Sequence, residues 1–175
     1  MKPFGENTVD IRIFFSNGFA VQAVVQNNSS VNDLLLLMIN YLGIDDYSEG
    51  EEALAIWFVS PFLEIQLKPS QIPLKIYQKW PAFLSRFTFA EEHEILLDEP
   101  LLVLRRNVML TFDREIELIS KYEKLAQILY FDARDKYLCG RYPVDIKTSL
   151  KLVGLQLAIE FGPCNGNNNK IIIIF

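Results

Sequence analysis

The stretch Val9-Asp10-Ile11-Arg12-Ile13-Phe14-Phe15-Ser16-Asn17-Gly18-Phe19-Ala20-Val21-Gln22-Ala23-Val24-Val25 decides the fold. Val9, Ile11, Ile13 and Phe15 alternate with Asp10, Arg12 and Ser16, the period of a strand with one buried face. Phe14 interrupts the polar side, so that face is expected to be partly covered. Asn17-Gly18 offers the two positive φ angles of a tight hairpin turn, and Phe19, Val21, Ala23 and Val25 form the return strand. After a polar loop, Ser30 is placed to cap a helix whose apolar positions are Val31, Leu34, Leu35, Met38 and Leu42. Gly43 fits its left-handed stop.

Outward from this hairpin and helix, strands are expected at about 54–59 and 63–67, with Ser60-Pro61 between them and Lys68-Pro69 closing the second. Trp80-Pro81 reads as a helix start, since proline is best tolerated at the first helical position. A last strand covers 101–108. Hairpin, helix, then further strands is the order of a ubiquitin-like β-grasp, here over residues 8–110. The period then changes to 3.6. One helix follows Ser120 with Tyr122, Leu125, Leu129 and Ala133 on one face, ending near Cys139-Gly140. Pro143 and Asp145 open the next, with Ile146, Leu150, Val153, Leu157 and Phe161 at helical spacing and Gly162-Pro163 as its stop. Two helices do not enclose a core of their own. The fold class is therefore α+β, with a β-grasp lobe followed by an incomplete helical one over 111–163.

Composition excludes several functions. No apolar run approaches the ~20 residues of a membrane-spanning helix, and the N-terminus lacks the pattern of a secretory signal. Cys139 and Cys164 stand apart, and the single histidine, His93, sits in the acidic run Glu91–Glu94, where a solvated loop is expected. There is no Gly-rich phosphate loop, no GxSxG, and no Cys/His or His/Asp pairing at a useful spacing. The carboxylate pairs Asp45-Asp46 and Glu51-Glu52 read as solvated loops. No enzyme, cofactor or metal is expected. The net charge is -5, and no Lys or Arg occurs between Ile13 and Ala53, which argues against nucleic acid. Basic residues gather later. Lys68, Lys75, Lys79, Arg105 and Arg106 are the cluster considered for partner or lipid binding. The alternative is that the two arginines, on opposite faces of one strand, form salt bridges between lobes. Anionic lipid usually recruits four or more clustered bases.

Three patches together resemble the first two lobes of the FERM domain family. They are Ala55-Ile56-Trp57-Phe58-Val59-Ser60-Pro61-Phe62-Leu63-Glu64-Ile65-Gln66-Leu67-Lys68-Pro69, then Trp80-Pro81, then Glu99-Pro100 through Arg105-Arg106-Asn107-Val108. Cys139-Gly140-Arg141-Tyr142-Pro143 resembles a helix junction of that family's second lobe. The resemblance implies a four-helix, acyl-CoA-binding-protein-like second lobe and a third, phosphotyrosine-binding-like lobe, so the chain is expected to be a fragment. It also implies a non-catalytic scaffold or adaptor, cytoplasmic and peripheral at the cytosolic face of the plasma membrane. The implied partners are cytosolic tails of membrane proteins, iRhom-type rhomboid pseudoproteases or Wnt co-receptors, with weak anionic-lipid contact. A second branch of the family implies instead an effector of Rap-type small GTPases. The bare acidic charge of residues 13–53 disfavours that, because Rap presents an acidic surface. The end of the chain, Asn167-Asn168-Asn169-Lys170-Ile171-Ile172-Ile173-Ile174-Phe175, uses only residues that A/T-only codons encode. Residues 164–175 are therefore expected to be a low-complexity tail, with Gly166 onward of gene-model origin rather than selected protein; the alternative is a genuine C-terminal strand.

Overall fold

A computed structural model describes residues 2–3 and 7–162, so the tail from 164 onward lies outside the described residues. The described chain divides into two compact units, Met1–Asp135 and Lys136–Phe175.

The first unit is built on a mixed six-stranded sheet. Strands β2 (Thr8–Phe15) and β3 (Ala20–Gln26) form the expected hairpin, with Val9 opposite Val25 and Ile13 opposite Val21. Its turn differs in detail from the expectation. Gly18 alone takes a positive φ, of 84°, while the Asn17 side chain accepts a hydrogen bond from the Phe19 N–H at 3.0 Å. Gly18 N–H donates to the Phe15 carbonyl, so the loop is three residues long and needs only one left-handed residue. Helix α1 (Val31–Leu42) starts on a capping box between Ser30 and Asp33 and stops at Gly43, φ 67°. It lays Val31, Leu34, Leu35, Met38, Ile39 and Leu42 on the sheet. Short β1 (Lys2–Pro3) pairs with β2 beside Val9 and Asp10.

Strands β4 (Leu54–Val59), β5 (Glu64–Gln66) and β6 (Leu101–Arg106) complete the sheet. The order is β1-β2-β6-β4-β5, with β6 parallel to β2 and antiparallel to β4. Since β3 pairs along the whole of one side of β2, β1 and β6 share the other, and β3 is an edge. Trp80 opens α4 (Trp80–Phe87) as expected and is buried. Its ring meets Phe58 edge-on at 5.6 Å, and its Nε1 donates to Asp98 at 2.8 Å. Trp57 is half-buried and donates to the Arg106 carbonyl.

Several helices have no counterpart in the sequence reading. Asp45 and Asp46 lie in an exposed loop as expected, but Glu51 and Glu52 do not: Asp46 caps α2 (Tyr47–Ala53), accepting from the Ser48 and Glu49 N–H groups. The short α3 (Pro73–Gln78) and α5 (Glu92–Leu97) flank α4, and exposed His93 lies on α5. Ser120 is not a cap either. It lies inside α6 (Phe112–Lys121), and α7 (Glu123–Leu138) begins two residues after that helix ends. On α7 the buried positions are Leu125, Ile128, Leu129 and Asp132, whereas Ala133, expected inside, is exposed. Leu110, Leu118, Leu125 and Leu129 join the same buried cluster as the sheet and α1, so the first unit reaches Asp135.

The second unit holds the end of α7 and α8 (Ile146–Phe161). Gly140, φ 73°, follows α7, and Asp145 caps α8 by accepting from the Thr148 N–H at 2.9 Å. No side chain of α8 is buried among the described residues, so Val153, expected in a core, is exposed. No helix among the described residues is long and apolar enough to cross a membrane.

Candidate docking cleft beside the hairpin turn

Strand β6 runs between β2 and β4, which pair both of its edges, and consecutive side chains from Leu102 to Arg105 are buried on both of its faces, so a cation there must find partners inside the protein. Arg105 does so. Its guanidinium is buried, with Nη1 3.2 Å from Glu64 Oε1, Nε 3.4 Å from Asp132 Oδ1 and Nη2 3.4 Å from Asp135 Oδ2. Asp132 is itself buried, and its Oδ1 also accepts from the Ser16 hydroxyl at 3.3 Å. One carboxylate thus ties α7 to both β6 and the hairpin turn. This explains why Asp132, not Ala133, faces inward.

Arg106, on the other face of the strand, pairs with Glu115 at 2.8 Å and donates to the Leu110 carbonyl. It fixes the start of α6. A second junction centres on Glu49 of α2, whose carboxylate accepts from Lys121, the Tyr122 hydroxyl and Arg114. The Lys121 ammonium, above all, then the Tyr122 hydroxyl, hold the Glu49 carboxyl below the usual glutamate range. Arg114 also reaches Glu52 at 2.9 Å. The acidic α2 is therefore the counter-charge to α6.

The five basic residues singled out in the sequence differ in exposure and pairing. Arg105 and Arg106 are held within the fold by the pairs above. Lys68, after β5, Lys75 on α3 and Lys79 between α3 and α4 are exposed and make no ion pair among the described residues.

A cleft of about 410 Å³ opens where α7 meets the hairpin turn. Its walls are Phe15, Phe19, Tyr41, Leu42, Ile128 and Phe131, with Ser16, Asn17, Lys124 and Gln127 around them. Lys124, Gln127, Ile128 and Phe131 follow the i, i+3, i+4, i+7 spacing of one helix face. Phe19 and Tyr41 are each more than half exposed. The Tyr41 hydroxyl, the Lys124 ammonium and the Gln127 amide have no partner among the described residues. A mostly apolar concavity of this size with a few convergent polar groups is the usual form of a binding site. Lys124 is the only charged residue in its lining. The i, i+7 pair Lys124/Phe131 was visible in the sequence. Only the packing of α7 on the hairpin turn makes it one wall of a cleft.

Residues 116–171 match the FERM central domain. The chain is 36% identical over 161 residues to FERM domain-containing protein 8 of Mus musculus, covering 91% of this chain and 34% of that protein. It is 33% identical over 165 residues to the Xenopus laevis protein of the same name, covering 94% of this chain and 36% of the relative. It thus spans about a third of the length of these curated relatives. In fold it is similar to the human Myosin 7b C-terminal MyTH4-FERM domain solved in complex with the harmonin-a PDZ3 domain. That likeness has a TM-score of 0.65 at 16% identity, over 94% of this chain and 30% of the other. Sequence and fold agree: the chain belongs to the FERM domain family, carrying its ubiquitin-like lobe and helices of its central lobe.

Proposed function

We propose that this chain works as a non-catalytic scaffold at the cytosolic face of membranes, where it holds the cytosolic tail of a membrane protein. The observation that carries the reading is the cleft beside the hairpin turn. It is aromatic, open to solvent and edged by the uncommitted Tyr41 hydroxyl, Lys124 ammonium and Gln127 amide, and its lining contains no nucleophile–base pair. Such a surface recognises a side chain presented by a partner; it offers nothing to drive a reaction. The solved Myosin 7b relative, whose FERM region is seen with a PDZ domain, supports a partner-binding role for the fold.

The resemblance favours iRhom-type rhomboid pseudoproteases as clients, with Wnt co-receptors second. Exposed Lys68, Lys75 and Lys79 add a weak attraction to anionic lipid. Three lysines fall short of the roughly four to eight clustered bases that recruit a protein to lipid unaided, so recognition of the tail dominates.

The test is flotation of the full-length protein with liposomes. Co-flotation with vesicles that display an iRhom-type cytosolic segment, and not with bare vesicles containing phosphatidylserine, is expected. Equal recovery with bare and decorated vesicles overturns the client-tail reading in favour of lipid binding.

A further inference from the structure

Among the described residues, the outer edge of β3 carries none of the devices that normally keep a sheet edge from pairing. Hydrogen bonds from Phe15 N–H to the Phe19 carbonyl and from Asn27 N–H to the Asn7 carbonyl bracket the hairpin. In an antiparallel ladder, bonded and non-bonded pairs alternate. Val21, Ala23 and Val25 therefore turn their backbone groups toward β2. Ala20, Gln22 and Val24 turn theirs outward, where they meet no partner among the described residues. Edge strands are ordinarily blunted by lysine, proline, a bulge or a covering element. From Ala20 to Gln26 there is no charged residue and no proline, and the pairing with β2 is regular throughout.

This edge leads directly into the aromatic cleft. Phe19, the residue before β3, forms part of the cleft wall. By strand parity it lies on the same face as the half-buried Val21, Ala23 and Val25, the face on which α1 packs. The edge is uncharged, and the cleft at its end carries one unpaired cation, Lys124.

From these observations, and resting on the adaptor reading, we infer that β3 and the cleft form one docking surface for an extended peptide segment. The segment adds as a further strand on β3, with main-chain bonds to Ala20, Gln22 and Val24. Its alternate apolar side chains lie beside Val21, Ala23 and Val25. Antiparallel addition, the more stable pairing per residue, brings the segment's C-terminal side to Phe19. There an aromatic or large aliphatic side chain enters the cleft and an adjacent carboxylate meets Lys124. Main-chain bonds supply affinity that is indifferent to sequence; the cleft and the lysine supply selection.

The probe is a phage-displayed library of random peptides panned on the full-length protein, the selected sequences being synthesised and titrated by fluorescence anisotropy. Selected peptides are expected to alternate apolar residues and to end in an aromatic residue beside Asp or Glu. Val24→Pro removes an outward N–H and leaves the β2–β3 ladder intact, so it should weaken binding at least tenfold with an unchanged melting temperature. Val24→Thr, which keeps the N–H, should bind as the parent does, and Lys124→Glu should abolish the acidic preference. A measurement independent of protein folding uses the peptide itself. N-methylation at alternate residues should abolish binding in one register and spare it in the other. Failure to enrich any sequence, enrichment of amphipathic helices, or equal tolerance of both N-methylation registers overturns the inference. A membrane-protein tail that binds equally well to Val24→Pro removes this surface and leaves the adaptor reading standing. Selection of such peptides without binding of any membrane-protein tail does the reverse.

Discussion

Replacing Arg105 with methionine removes the cation that pairs with Glu64, Asp132 and Asp135. The magnitude follows from their burial. The Asp135 side chain is 40% exposed, so its pair with Arg105 contributes little. Asp132 is 2% exposed and Glu64 17%, so both are left with charge that water reaches poorly. Breaking a buried pair by deleting one partner costs about 3–5 kcal/mol. Asp132 keeps the Ser16 hydroxyl, which argues for the lower end, about 3 kcal/mol. At about 3 °C per kcal/mol for a chain of this size, the melting temperature should fall by about 9 °C. Urea unfolding followed by far-ultraviolet circular dichroism measures the loss. The double variant Arg105→Met/Asp132→Leu should recover part of it, because the more deeply buried charge goes with its partner while Glu64 keeps its own. A loss below about 1 kcal/mol, the range of exposed ion pairs, or a double variant no better than the single one, refutes the view that these charges clamp α7 to the sheet.

Gly50 is packed so closely that a β-carbon there would lie 2.7 Å from Ile39 Cδ1 and 2.8 Å from its Cγ1. Gly50→Ala should therefore destabilise by about 1–3 kcal/mol, read as a lower urea midpoint at unchanged slope; a stabilised variant contradicts the α1–α2 packing. Glu49 titrates below its ordinary value in the folded chain, so its contribution is complete above the ordinary glutamate range and lost as pH falls through the depressed value. The melting temperature should hold from neutrality to about pH 5 and drop below it, and Glu49→Gln should lower it at pH 7 while flattening that acid drop. A parallel pH profile for the variant contradicts this. Leu104, wholly buried between β2 and β4, should not tolerate aspartate; a cooperative thermal transition in Leu104→Asp contradicts the core assignment.

What the sequence made legible was structure specified by near neighbours. The β2–β3 hairpin, the Ser30 cap, the Gly43 stop and the Trp80 helix start all rest on residues a few positions apart. The missed helices are those whose reasons lie elsewhere in the chain. Helix α2 reads as an acidic loop until Arg114 and Lys121, more than sixty residues later, bring it counter-charge. In α6 a helical stripe of Phe112, Ile116 and Ile119 is present, but the only buried residue is Leu118, which lies off that stripe and is inward because of the sheet and α7 it packs with. The inward turn of Asp132 contradicts the apolar rule for a helix face and follows only from Arg105 on β6. The same holds for the cleft. Phe19, Tyr41 and Lys124 come from three separate elements, and no spacing in the sequence relates them. The two arginines were conspicuous for their charge, yet that charge is consumed inside the fold.

On the function proposed above, this FERM chain holds membrane-protein tails rather than acting as a small-GTPase effector. The charge pattern separates the two, since β2 and β3 carry only Arg12 as a cation and α1 carries none. Like charges set opposite each other at a contact cost several kcal/mol. The most direct measurement is a side-by-side calorimetric titration of the full-length protein with an iRhom-type cytosolic segment and with Rap loaded with GTP or GDP. Saturable binding of the segment, with no heat from either form of Rap, is the predicted result. GTP-dependent binding of Rap at micromolar strength or tighter, with no binding of the segment, would contradict it.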